Sequence, residues 1–272
     1  MQMKKYIIVF IILTGAYITK GQKKEDGNLN NQIIMKKIIH KADSRGHADH
    51  GWLNARHTFS FANYYDKTRE HYGVLRVLND DIIEGGMGFG MHPHANMEII
   101  TIPLMGSIEH KDNIGSHGVI NVNDVQIMSA GTGVRHSEYN HSKTDTLNLL
   151  QIWVFPKLEN IKPRYDQKTY DPSERKNKLQ LVISPDKNDS TLWINQDAYF
   201  SLGNLEAGTE ISYDSKLKGN GIYLFVIEGE IEIEGEKLQR RDAVGIYDFD
   251  HTKIKASKDS QILVMDLPME LQ

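Results

Sequence analysis

His92 and His94 stand two residues apart around Pro93, and His136 and Glu138 repeat that spacing further along the chain. In an extended strand, residues i and i+2 project to the same face, so each pair can point two donors one way. Pro93 favours this conformation, because it fixes its own φ and pushes His92 toward the β region. Either pair alone has a plain reading as surface or structural residues, since an isolated imidazole has many roles. Together they offer three imidazoles and one carboxylate from two strands. Such a set suits Fe(II), Mn(II), Ni(II), Cu(II) or Zn(II). It would leave two positions of an octahedron open, as oxygen or a chelating substrate requires. The ligating imidazoles must be neutral, so metal is expected to leave as pH falls through the histidine range.

Competing chemistries fit the same residues less well. Ser137 sits between His136 and Glu138; on a strand it faces away from both, which spoils a hydrolytic triad. The run "GGMGFG" before the first pair resembles a phosphate loop only superficially, because a β-like segment follows it and supplies no helix N-terminus. Turn-forming glycines are the better reading. Eleven of the 12 histidines lie between His40 and His141, with only His251 later, so histidine chemistry belongs to the first half of the chain. His110 and His117 are read as turn residues, with a place beside the metal as the alternative, and His141 as a solvated imidazole at the rim. Phe59, Phe61, Phe89 and Met91 fall near the expected cavity mouth, as core or as substrate-pocket lining. Trp52 and Trp153 are read as packing residues.

The elements that must position these groups are β-strands. "GVLRVLND", "MEIITIPLMGSIEH", "DVQIMSAG" and "LNLLQIWVF" are rich in Val, Ile and Leu without helical periodicity. Gly and Asn-Asp punctuation between them suggests a sandwich or barrel. Pro156 to Asn177 is charged, holds three prolines and reads as a connector. A second β set follows, in which Glu230, Glu232 and Glu234 alternate with Ile231 and Ile233. Alternation makes this a solvated face over an apolar one rather than an acidic metal site.

At 272 residues the chain can form one large β domain or two smaller ones. Its net charge of −4 and lack of a basic run in the body argue against nucleic acid as a partner. With no cysteine, disulfides, zinc–thiolate sites and thiol catalysis are excluded. The first residues, "MQMKKYIIVFIILTGAYITKGQ", place Lys4 and Lys5 before a short apolar stretch. This is the order of a signal peptide over residues 1–21, too short for a membrane span of roughly 20 apolar residues. The expectation is an exported protein, periplasmic or extracellular, touching a membrane only if this segment is not cleaved. Translation from Met35 would instead give a cytoplasmic protein. Residues 22–34 read as a polar linker.

Two stretches carry a family resemblance. "GMGFGMHPHANMEIITIPLMG" resembles the first cupin motif through Gly86, His92, His94 and Glu98, with Gly106 one residue late. "GTGVRHSEYN" resembles the second through Gly133, His136 and Asn140, with Gly131 where proline is usual. These segments, with "RGHADHGWLNARHTFSFANYYD", are similar to the pirin family, closest to its bacterial quercetinase-type members. The resemblance implies an all-β bicupin of two tandem jelly-roll barrels. A metal-binding domain would span 35–158, a connector 159–176, and a barrel without ligands 177–272. Cupins generally use the glutamate of the first motif, here Glu98; pirins use the one two residues after the third histidine, here Glu138. The pirin likeness favours Glu138, leaving Glu98 as an alternative ligand or a partner to a ligand N–H. It also implies a dioxygenase that cleaves quercetin or a related enolic aromatic with O2, with Fe(II) as the expected ion and Ni, Mn, Cu or Zn served by the same donors. Glu138 would take the substrate hydroxyl proton as base. The alternative is a non-enzymatic, redox-sensing metal protein that regulates a protein partner. An isomerase or another oxygenase on this scaffold is a third reading, since fold alone does not set chemistry.

Overall fold

The computed structural model describes residues 35–271; the expected signal segment 1–21 and linker 22–34 lie outside the described residues. Short strands dominate, because β-branched runs are cut by glycines and asparagines that supply positive φ at the turns.

Two β-barrels follow one another along the chain, each a seven-stranded sheet facing a four-stranded one. In the first barrel the large sheet runs Arg164–Thr169, Asp124–Ser129, Glu98–Met105, Leu147–Val154, Leu75–Ile83, Leu53–His57 and Gly46–Asp49, all antiparallel. Its small sheet runs Gly88–His94, Val134–Asn140, Ser107–Asp112 and His117–Asn121. The second barrel sets the sheet centred on Asn220–Glu228 and Ser260–Pro268 over one made of Glu210–Asp214, His251–Ala256, Glu230–Ile233 and Glu236–Gln239.

Two details differ from the sequence reading. The supposed connector contains the strand Arg164–Thr169, which closes the edge of the first barrel's large sheet on Asp124–Ser129. It is polar on both faces because it pairs on one side only and stays half-exposed. At the other end, Lys36–His40 pairs with Ala243–Tyr247, so the first described strand belongs to the second barrel's sheet. Chain order and barrel membership therefore do not coincide.

The interiors of the two barrels differ. The second is filled with hydrocarbon: Leu205, Leu224, Val226, Ile231, Ile233, Ile254 and their neighbours form one buried cluster. In the strand Glu230–Ile233 the isoleucines are buried and the glutamates turn outward, while Glu234 sits in the following turn at φ 48°. The first barrel has no such continuous filling. One cluster around Ile83, Ile108, Ile120 and Leu149 occupies one part, and another of Ile99, Met128, Ala130 and Val134 lies elsewhere. The largest core, with Phe59, Leu75, Ile100 and Ile152 from one barrel and Val182, Phe200 and Tyr223 from the other, lies between the two large sheets. Each such buried side chain contributes about 1.5–3 kcal/mol, so the barrels are held as one body.

Candidate metal centre

Gly88–His94 and Val134–Asn140 pair antiparallel, with His136 opposite His92 and Val134 opposite His94. Along the second strand burial alternates, with His136, Glu138 and Asn140 inward and Arg135 and Tyr139 outward. The register shifts between His136 and Glu138, so that Glu138 pairs with Phe89 and an extra residue bulges from the partner strand near Gly90. Bulges re-aim side chains beside sites, and this one brings the carbonyl of Gly90 under His92. The glycine cluster has a second reason beyond turns. A Cβ at Gly88 would overlap the carbonyl oxygen of Glu138, so only glycine lets the two strands close at the carboxylate.

His92, His94 and His136 bring ligand-capable atoms within 4.8 Å of one another, and so do His110, His136 and Glu138. The first three rings meet at centroid separations of 4.4 to 4.9 Å. Hydrogen bonds set the tautomers. His92 Nδ1 lies 2.8 Å from the Gly90 carbonyl oxygen, which can only accept; the proton of this bond sits on Nδ1, which makes Nε2 the nitrogen available to a metal. His110 Nε2 lies 3.2 Å from Asp112 Oδ2 and its Nδ1 3.4 Å from His136 Nδ1. A neutral His110 that donates Nε2–H to Asp112 accepts at Nδ1, and this arrangement places the His136 proton on its own Nδ1. That leaves His136 Nε2, buried and without a hydrogen-bond partner among the described residues. An orphaned buried lone pair calls for an explanation, and a cation between the rings would satisfy it.

Electrostatics agree. Burial, then the neighbouring imidazoles His136 and His92, hold His94 down to about 4. Burial, then His92 and His110, hold His136 down to about 3. Both rings are neutral at pH 7, as ligands must be. Glu138 is buried, accepting from Gln151 Nε2 at 3.1 and 3.3 Å and from Thr101 Oγ1 at 3.4 Å. Thr101, Gln151, Asn79 and His57 are successive cross-strand partners of the large sheet, so one polar row backs the carboxylate.

These groups open on a cavity of about 470 Å³ lined by His92, His94, Glu138, Asn79, Asp81 and Gln151, with Trp52, Phe61, Phe89 and Trp153 as its aromatic walls. Burial, then Asp80 and Glu138, push Asp81 up to about 8, so a neutral carboxyl faces the cavity at pH 7.

Several residues stand elsewhere than the sequence suggested. Glu98 does not share the face of His94, because the strand ends at His94, Asn96 takes φ 47°, and Glu98 opens a strand of the other sheet. Its carboxylate instead accepts from Ser129 Oγ at 2.8 Å and the backbone N–H of Asn195 at 3.2 Å, tying the two barrels together. His110 is no turn residue. It lies in Ser107–Asp112, fully buried against His136, with its ring 4.6 Å from that of Tyr165. His117 and His141 are exposed beside Glu109. Phe61 and Phe89 line the cavity, whereas Phe59 belongs to the core between the sheets and Met91 is 47% exposed outside the lining. The packing tryptophans Trp52 and Trp153 are cavity wall. Asn79, Asp81 and Gln151 escaped notice, although polar residues inside runs as apolar as "LRVLNDDII" and "LNLLQIWV" were a readable signal.

Two stacked barrels, one holding a histidine-lined cavity and the other filled with hydrocarbon, define a bicupin. The chain belongs to the pirin family: the pirin family model matches residues 38–154, and that of the quercetinase C-terminal cupin domain matches residues 181–267. It is 44% identical over 234 residues to quercetin 2,3-dioxygenase of Escherichia coli, covering 85% of this chain and 98% of that protein. It is 40% identical over 225 residues to a pirin-like protein of Caulobacter vibrioides, covering 82% and 96%. The crystal structure of the bacterial pirin YhhW in complex with nickel(II), from Escherichia coli, matches with a TM-score of 0.81 at 42% identity, covering 86% of this chain and 99% of that one.

Proposed function

We propose that this protein is a metal-dependent dioxygenase that cleaves quercetin or a related flavonol with O2 in the first barrel. His92, His94, His136 and Glu138 hold one divalent transition ion. The observation that carries the reading is the buried Nε2 of His136, without a hydrogen-bond partner among the described residues and close to His92 and His94 at the edge of an aromatic-walled cavity. Its relatives named quercetin 2,3-dioxygenase supply the substrate class. Fe(II) remains the proposed ion; a relative crystallised in complex with nickel(II) supports a divalent transition-metal site, and the same donor set suits several such ions.

When bound, such an ion supplies positive charge that lowers the pKa of a substrate hydroxyl. The chain does the rest. Trp52, Phe61, Phe89 and Trp153 sandwich a flat aromatic and exclude water. Glu138 accepts the hydroxyl proton, while Gln151 and Thr101 fix the orientation of its carboxylate. Asp81 and Asn79 offer polar contacts on the cavity wall. Oxygen uptake with quercetin, lost in His94→Ala, tests the proposal. A purified, metal-loaded protein that turns over no flavonol would refute it.

We also propose that the protein is exported, on the strength of Lys4 and Lys5 ahead of the apolar run Tyr6 to Leu13. A mature N-terminus near Gln22 in an extracytoplasmic fraction is the expected result; a cytoplasmic protein beginning at Met35 contradicts it.

A further inference from the structure

A second cavity, of about 270 Å³, lies between the barrels and is lined by Arg45, Arg56, Arg240, Arg241, Asn54, Asn148, Asp80 and Ile82. Four guanidinium groups share its wall with a single carboxylate. Asp80 is fully committed: Oδ2 lies 3.4 Å from Arg45 Nη1 and 3.3 Å from Arg241 Nε, and Oδ1 accepts from Asn148 Nδ2 at 2.8 Å. Glu228, outside the lining, holds Arg240 through contacts of 3.0 and 2.9 Å. Even counting it, four cations face two anions.

Arg241 is the informative residue. Its side chain is 3% exposed; Nη2 donates to Asn148 Oδ1 at 3.0 Å and lies 3.6 Å from Glu228, Nε lies 3.3 Å from Asp80 Oδ2, and Nη1 has no hydrogen-bond partner among the described residues. Its backbone is held at φ 66°, a region that disfavours residues with a Cβ. Asp80 and Glu228 attract it, while the neighbouring guanidinium groups of Arg240 and Arg45 repel it. A buried guanidinium with a spare Nη1, in a wall where cations outnumber carboxylates, is placed to take a further anion. Guanidinium forks match tetrahedral oxyanions in geometry and charge.

We infer that this inter-barrel cavity is a binding site for a small tetrahedral oxyanion, phosphate or the phosphate group of a small ester, held by Arg56, Arg240 and Arg241. The volume, near the lower bound of small-molecule pockets, restricts the ligand to a small one. The donors come from strand Leu53–His57 of the first barrel and from the turn before Ala243–Tyr247 of the second, so the ligand clamps the barrels to each other. The site is separate from the histidine-lined cavity and does not depend on its chemistry.

The test is calorimetric titration of the full chain with inorganic phosphate, and in parallel with glycerol phosphate, at ionic strength fixed by chloride. Saturable binding at one site per chain is expected, with a rise in melting temperature that chloride does not reproduce. Arg56→Ala and Arg240→Ala, both at partly or largely exposed positions, should each weaken binding roughly tenfold or more, since each removes a charge-assisted contact. Lys67→Ala, which removes the same charge outside the cavity, should leave affinity unchanged. The tighter of the two probes identifies the source of the phosphate group. Absence of saturable binding of either probe, or equal affinity in the two arginine variants and wild type, overturns the inference.

Discussion

Replacing His110 with phenylalanine should weaken metal binding while leaving the barrel folded. Phenylalanine keeps the volume and the ring against Tyr165, whose centroid lies 4.6 Å away. It removes two nitrogens: Nδ1, 3.4 Å from His136 Nδ1, and Nε2, 3.2 Å from Asp112 Oδ2. Asp112 keeps its Oδ1 contacts from the N–H groups of Ile114 and Ser116 at 3.0 and 2.8 Å. The unpartnered Oδ2 costs about 1–3 kcal/mol, within reach of a domain whose stability is about 5–15 kcal/mol. His136, without an acceptor for its Nδ1 proton, is free to populate the other tautomer and other ring orientations. Partners of this kind are worth roughly ten- to a hundredfold in metal affinity, or about 1.4–2.8 kcal/mol. Competition titration against a chromophoric chelator, with circular dichroism to check folding, measures both. A folded His110→Phe protein with wild-type metal affinity would refute the assignment of the Asp112–His110–His136 chain as the device that frees Nε2.

Three further outcomes follow from the same geometry. Metal-free protein carrying Asp81→Asn should lose stability as pH falls from 6.5 toward 4 and 3, because the unfolded chain protonates histidines that the fold keeps neutral to about 4 at His94 and about 3 at His136. Urea midpoints independent of pH between 6.5 and 5 would contradict this. Asp81 acts in the opposite sense: its folded value of about 8 lies above the unfolded one, so its contribution is present at low pH and lost as pH rises through 8. Asp81→Asn should therefore raise the apoprotein melting temperature more at pH 9 than at pH 5, and an equal change at both would contradict the buried neutral carboxyl. Glu98→Gln should leave metal content intact and lower the melting temperature, since Glu98 joins Ser129 to Asn195 across the barrels; metal loss in a folded variant would return Glu98 to the ligand set.

What the sequence disclosed was local. The two i, i+2 pairs were legible because strand alternation acts over two residues, and Pro93 marked the first as extended. His110 was hidden because "MEIITIPLMGSIEH" reads as one apolar run, whereas Gly106 at φ 77° divides it between two sheets. A separate turn, with Asn96 at φ 47°, took Glu98 away from His94. Pairing across the chain was illegible altogether: nothing in "KKIIH" indicates Ala243–Tyr247 as its neighbour. The half-exposed strand Arg164–Thr169 lacks the apolar alternation that identifies a strand. The arginine-lined cavity draws on five separate segments and leaves no local mark.

The proposed metal site is tested most directly by an anomalous difference map of crystals loaded with one divalent transition metal. One strong peak is expected in the first barrel, about 2.0–2.2 Å from Nε2 of His92 and His136, a ring nitrogen of His94 and a carboxylate oxygen of Glu138. A peak centred on His110, or none among these four side chains, would contradict it.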